Sequence, residues 1–138
     1  MKKEVGALIL RLTVGVIFFF HGLAKFQGGI ENTVNMFADL GLPGVLAYVV
    51  AFVELIGGVA LILGLGTRVV SLLLAVIMVV AILKVKLTNG LLGTGQAAGF
   101  ELDLTLLAMS TYLIINGNTL FSVDQILSKK SNDQKAVA

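Results

Sequence analysis

Four ionisable side chains stand inside stretches that are otherwise apolar: Arg11, His21 and Lys25 in the first, and Glu54 in the second. Hydrocarbon tolerates such groups only where they face one another, an aqueous cavity or a bound molecule, so together they mark an interior polar site. Their types suit binding and proton handling. Arginine and lysine donate hydrogen bonds to an oxygen, histidine changes charge near neutral pH, and a carboxylate at mid-depth has to be paired, hydrated or protonated.

At about 100° per residue, Arg11, Gly15, Phe18, Gly22 and Lys25 fall on one narrow helical stripe, with His21 on its flank and a turn from Lys25. Arg11 and Lys25 are about 21 Å apart along the axis. Gly15 and Gly22 on this stripe, and Gly57 and Gly58 just beyond Glu54, predict close backbone approach and an inward-facing Arg11. Arg11 is therefore the expected partner of Glu54. The blander readings have Lys25 and Arg11 snorkelling to opposite headgroup layers and His21 bonding a neighbouring backbone carbonyl. Arg68, opening the third apolar stretch, is either a topology anchor or a second cation for the Glu54 network or for an anionic headgroup. Lys84 and Lys86, with Glu101 and Asp103, are expected to form a charged rim around His21 and Lys25. Phe18 reads first as packing and second as a contact for an apolar ligand. Tyr48, Tyr112, Asn116 and Asn118 read as polar ends of spans, the asparagines as interface or capping groups.

Other chemistries are excluded by composition. There is no cysteine, hence no thiol-disulfide exchange and no thiolate-held cluster. The single histidine rules out self-contained bis-histidine haem and argues against a zinc site, so no metal centre is expected. GLLGTGQAAG is glycine-rich, but its spacing is wrong for a nucleotide-binding loop and it joins two apolar segments instead of following a strand. A net charge of +2, spread over ends and loops, offers no nucleic-acid surface.

The elements that must position these groups are helices in a bilayer. The chain has 138 residues, of which 57% are hydrophobic and 13% charged, and its mean hydropathy is +1.00, far from a soluble domain. Four spans are expected, Val5 to Phe26, Val45 to Leu65, Thr67 to Leu87 and Leu102 to Phe121, each near the about 20 residues a crossing needs. They predict an all-α, left-handed, up-down bundle of four transmembrane helices over residues 1–127 and a flexible cytoplasmic tail over 128–138. Lys2, Lys3, Arg68, Lys129, Lys130 and Lys135 outnumber Lys25, Lys84 and Lys86, which puts both termini on the cytoplasmic side of a multi-pass cell-membrane protein. Residues 27–44, with Glu31, are expected to be a connection. The loop over 88–100 is expected to be a plain linker, a flexible cap over the bundle, or a segment dipping partly into it.

The stretches RLTVGVIFFFHGLAKF (Arg11 to Phe26), ELIGGVALILGLGTR (Glu54 to Arg68) and FELDLTLL (Phe100 to Leu107) together resemble the DoxX family of small four-helix membrane proteins. The resemblance implies an oxidoreductase or an accessory subunit of a redox system, with relatives tied to thiosulfate, catechol and quinone chemistry. The family's polar positions carry onto Arg11, His21, Gly22, Lys25, Glu54, Arg68, Glu101 and Asp103.

The leading expectation is a quinone-linked component of a membrane redox system. His21, Lys25 and Glu54 are its catalytic candidates, with His21 and Lys25 orienting a quinone oxygen or relaying a proton. Arg11, Phe18, Arg68, Glu101 and Asp103 are its candidates for holding quinone or another apolar cofactor. Electron storage falls to a bound cofactor or to a membrane or peripheral redox partner, because the chain has no redox centre of its own. The alternatives are an assembly or stabilising subunit that receives a partner on its glycine surfaces and, more distantly, a small-molecule or proton transporter.

Overall fold

A computed structural model describes residues 1–117 and 120–137 of the chain; Asn118 lies outside the described residues. The elements in order are α1 (Lys2–Gln27), α2 (Ile30–Asp39), α3 (Val45–Leu63), α4 (Thr67–Val80), a short antiparallel pair β1 (Gly93–Thr94) and β2 (Ala97–Ala98), α5 (Glu101–Asn116) and α6 (Val123–Val137). Among the described residues three helices are long and apolar enough to cross a membrane: Lys2–Gln27, Val45–Leu63 and Thr67–Asn89, the last being α4 continued by a π-helical turn over Ala81–Lys86 and a 3-10 turn over Leu87–Asn89. Their outer faces are studded with exposed Ile, Leu, Val and Phe, as lipid contact requires.

Packing is led by α1 against α3 and α4 against α5, with α3 joining α4 and α1 touching α5. Between these helices lie Val14, Phe18, Leu61, Leu74, Met78, Leu106 and Leu113. The α1–α3 seam is built from glycine, as expected. A Cβ on Gly22 would sit 2.5 Å from the Leu55 nitrogen, one on Gly15 3.1 Å from the Ile62 nitrogen, and one on Gly58 2.5 Å from the Phe19 nitrogen. Gly22 therefore faces Leu55 and Gly15 faces Ile62, the same interval along both helices, which fixes an antiparallel register. Gly57 turns instead to α4, where Val70 lies 3.2 Å from its Cβ position. These glycines are used within the chain, so they are not the surface on which a partner would dock.

Several expectations need correction. Residues 30–39 form a helix, not a connection; α2 has no buried residues but packs on α1 and α3. The last apolar helix ends at Asn116, with Gly117 at its cap, short of Phe121. The 88–100 segment is not a featureless linker: Gly93 pairs with Ala98 and Thr94 with Ala97, and Asn89 Nδ2 donates to the Ala98 carbonyl at 3.1 Å. The segment after Leu127 continues α6 through Val137. The tight α3–α4 turn depends on Gly64, whose φ of 70° ends α3 in the left-handed region and lets the Leu65 nitrogen reach the Ala60 carbonyl at 2.8 Å.

Replacing Gly22 or Gly58 by alanine should force the α1–α3 backbones apart and lower stability by about 1–3 kcal/mol. Gly6→Ala, where nothing lies within 4 Å, should be neutral or mildly stabilising; thermal midpoints in detergent micelles separate the two outcomes.

Candidate functional site

The charged residues gather at two opposite ends of the helix bundle. One end carries α2 and the β1–β2 hairpin; the other carries the α3–α4 turn and the start of α6.

At the hairpin end, Glu54 sits on the buried stripe of α3 formed by Ala47, Ala51, Glu54, Gly58 and Leu61. Its partner is Lys25, whose Nζ donates to Glu54 Oε2. The helix register explains the choice. With Gly22 facing Leu55, Lys25 stands about 3 Å along the axis from the level of Glu54, within easy reach of a lysine stem. Arg11, expected as the partner, stands about 18 Å from that level at 1.5 Å per residue, beyond any arginine side chain. Span ends alone put Arg11 a few residues inside the α3–α4 turn, whereas the glycine register puts it level with that turn, at Gly66.

A second ion pair stands beside the first. Lys86 donates from Nζ to Asp103 Oδ2 at 2.6 Å. Asp103 heads the buried stripe of α5, followed by Leu106, Ser110 and Leu113, while Lys86 ends the π-helical turn that continues α4. That turn widens the helix and redirects the side chains after Ala81, as such bulges do near functional sites. Both Asp103 and His21 lie within electrostatic reach of Glu54. Each pair has the same build, a buried carboxylate behind a partly exposed ammonium: Lys25 is 22% and Lys86 27% exposed, against 3% and 9% for their carboxylates.

His21 is exposed, and its Nδ1 lies 2.9 Å from the Ile17 carbonyl. A carbonyl only accepts, so Nδ1 carries the hydrogen and Nε2 is the ring's accepting nitrogen. Glu101 is exposed at the first turn of α5, and Lys84 is exposed on the π-helical turn. Phe18 is fully packed in the core and presents no surface to a ligand at this end.

At the other end, Arg11 is buried and donates from Nη2 to the Phe121 carbonyl at 2.9 Å. Its other near neighbours are Gly64 and the carboxylate of Asp124, which is within electrostatic reach. Asp124 in turn accepts from the Gly66 nitrogen at 3.0 Å, at the start of α4, while its own nitrogen donates to the Gly64 carbonyl at 3.2 Å. Arg68 is exposed at this same end, against Gly117, and does not join Glu54. The candidates thus divide: His21, Lys25, Glu54 and Asp103 come together near Glu101, whereas Arg11 and Arg68 belong elsewhere.

Two residues escaped sequence reasoning. Lys86 was visible only as a rim charge, because its aim depends on the π-helical turn. Asp124 follows the last apolar segment and carries no helical spacing to the others; the signal for it was the SVDQ stretch at Ser122, which reads as a helix start.

This is an all-α, multi-span membrane protein with at least three apolar crossing helices and a polar cluster at one end. The chain belongs to the DoxX family, whose profile matches residues 6–87. It is 43% identical over 126 residues to a Bacillus subtilis protein provisionally named oxidoreductase CatD, covering 91% of this chain and 90% of that one. It is 32% identical to an uncharacterised membrane protein of Mycobacterium tuberculosis, over 90% of this chain and 82% of the relative. With the Escherichia coli inner membrane protein YqjF it shares 30% identity over 94% of this chain and 99% of that one. No solved structure matches.

Removing either partner of the Lys25–Glu54 pair leaves a charge without compensation in an apolar setting. Lys25→Ala and Glu54→Ala should therefore show a coupling of about 1–3 kcal/mol in a double-mutant cycle of stability, whereas Arg11→Ala and Glu54→Ala should add. Additivity of Lys25 and Glu54 would mean that the ion pair contributes nothing to the fold.

Proposed function

We propose that this protein is the membrane component of a quinone-linked redox system, with its site at the hairpin end. One observation carries the reading: two ammonium groups, each held by a buried carboxylate, stand partly exposed at the same end of an apolar helix bundle. Quinone oxygens accept hydrogen bonds and gain negative charge on reduction, and fixed cations stabilise charge that develops at such an oxygen. The arrangement fits that ligand class. Lys25 and Lys86 would supply the donors, Glu54 and Asp103 would fix their positions, and Nε2 of the exposed His21 would hold or pass a proton. The surrounding apolar side chains suit a lipid-soluble ring. Electrons would come from a redox partner, because the chain lacks cysteine and has a single histidine. The provisional oxidoreductase name of the Bacillus relative supports the same class.

The bundle in this reading has four crossing helices, α5 being the short fourth, packed on α4 and α1. Both termini are cytoplasmic by the distribution of lysine and arginine, which places the site toward the outer face.

Two experiments test this. An azido-quinone photolabel should attach to the purified protein near Lys25 and Lys86, and Lys25→Gln should weaken labelling about ten-fold, the equivalent of one charged hydrogen bond. Lys84→Gln should leave it unchanged. Absence of labelling, together with unaltered quinone reduction in membranes lacking the protein, would leave the assembly-subunit reading standing. For topology, cysteines introduced at Lys2 and Lys135 should be shielded from an impermeant thiol reagent in intact cells, while one at Gly95, where nothing crowds a side chain, should react. Reaction at both termini from outside would invert the orientation.

A further inference from the structure

The start of α6 is fastened at three points to the end of the bundle where Arg11 is buried. Arg11 Nη2 holds the Phe121 carbonyl, and Asp124 bonds Gly66 through its side chain and Gly64 through its backbone. Ser122 caps the helix, its Oγ accepting from the Gln125 nitrogen at 3.2 Å. Phe121 itself adopts φ 46°, a left-handed conformation unfavourable for an aromatic residue. The clasp therefore determines where α6 leaves the bundle, and it does so with a buried arginine.

What α6 presents is not a soluble tail. Phe121 is 80% exposed, Ile126 66% and Leu127 54%, large apolar side chains in a segment whose packing on the other helices, among the described residues, is minor. On the helix, Val123, Ile126, Leu127 and Lys130 share one arc, and Lys129 and Lys135 border it on either side. An apolar first turn followed along the same arc and bordered by lysines suits a helix lying in a lipid headgroup layer, its apolar turn inserted and its ammonium groups snorkelling to the phosphates. Its place agrees, because the segment begins where α5 ends, at the same end as the α3–α4 turn.

We infer that α6 is an interfacial helix that docks on the anionic headgroup layer of the protein's own membrane. Lys129, Lys130 and Lys135 supply the attraction, Phe121, Ile126 and Leu127 the insertion, and the Arg11–Asp124 clasp the fixed starting point. The inference is independent of the chemistry at the hairpin end.

The absence of native cysteine makes a direct test simple. Single cysteines at Ile126, Leu127, Ser128 and Asn132 in the full-length protein would carry nitroxide labels after reconstitution into phosphatidylcholine vesicles or into an equal mixture with phosphatidylglycerol. In the anionic vesicles the labels at 126 and 127 should be reached by oxygen and shielded from an aqueous nickel chelate, while those at 128 and 132 stay wet. Replacing all three lysines by glutamine should lower the docked-to-undocked ratio about a hundred-fold, at about five-fold per lysine. High salt should weaken docking without any substitution, so the test does not depend on how the triple variant folds. Wet labels at 126 and 127 in both lipids would overturn the inference, as would shielding indifferent to lipid charge and salt. Strong spin–spin broadening between molecules at 126 or 127 would overturn it in favour of a second copy as the occupant.

Discussion

The constraint on which this structure depends is that a charge placed among apolar helices must be met by another group at its own depth. Water cannot repair a mismatch there, and a carboxylate or guanidinium without a partner would drive the helices apart or draw solvent between them. Each buried charge in the bundle meets this requirement differently. Glu54 and Asp103 take lysines that reach in from the hairpin end, and Arg11 takes a carbonyl oxygen with a carboxylate nearby.

Depth is set by glycine, not by the charges. Because the backbones of α1 and α3 touch at Gly15, Gly22 and Gly58, a slip of even one residue would drive a side chain into a peptide group. The register is thus chosen by sterics, and Lys25 and Glu54 are placed opposite each other as its consequence. The salt bridge gains geometry it could not enforce alone, since a flexible lysine stem tolerates several positions. Rigid small-residue contacts with a polar pair on the same face let a short membrane bundle hold a defined site with few buried residues.

Much of this was legible in the sequence, and the exceptions share a cause. The stripe of Arg11, Gly15, Phe18 and Gly22 is buried as its spacing requires, and Glu54 lies on the inner face of α3. Periodicity reports which face a residue occupies but not its level against a neighbouring helix. Spacing alone therefore points Arg11, and not Lys25, at Glu54. Lys86 and Asp124 were missed for a related reason: one is aimed by a π-helical turn and the other by a loop return, and neither leaves a repeat in the sequence. The helices α2 and α6 fell outside because they are short and half polar, and apolar length was the signal being read.

The two ends differ in a way that bears on function. At the tail end the cation is inside and the anion caps a helix, so the charges are spent on holding α3, α4 and α6 together, and moving them would undo the turn at Gly64. At the hairpin end the anions are inside and the cations lie partly exposed, so an arriving oxygen can share a lysine without breaking a helix contact. Chemistry needs donors that can change partners, and structure needs donors that cannot. By that criterion Arg11 organises the bundle, and in the proposed reading the donors left to an arriving oxygen are those of Lys25, Lys86 and His21.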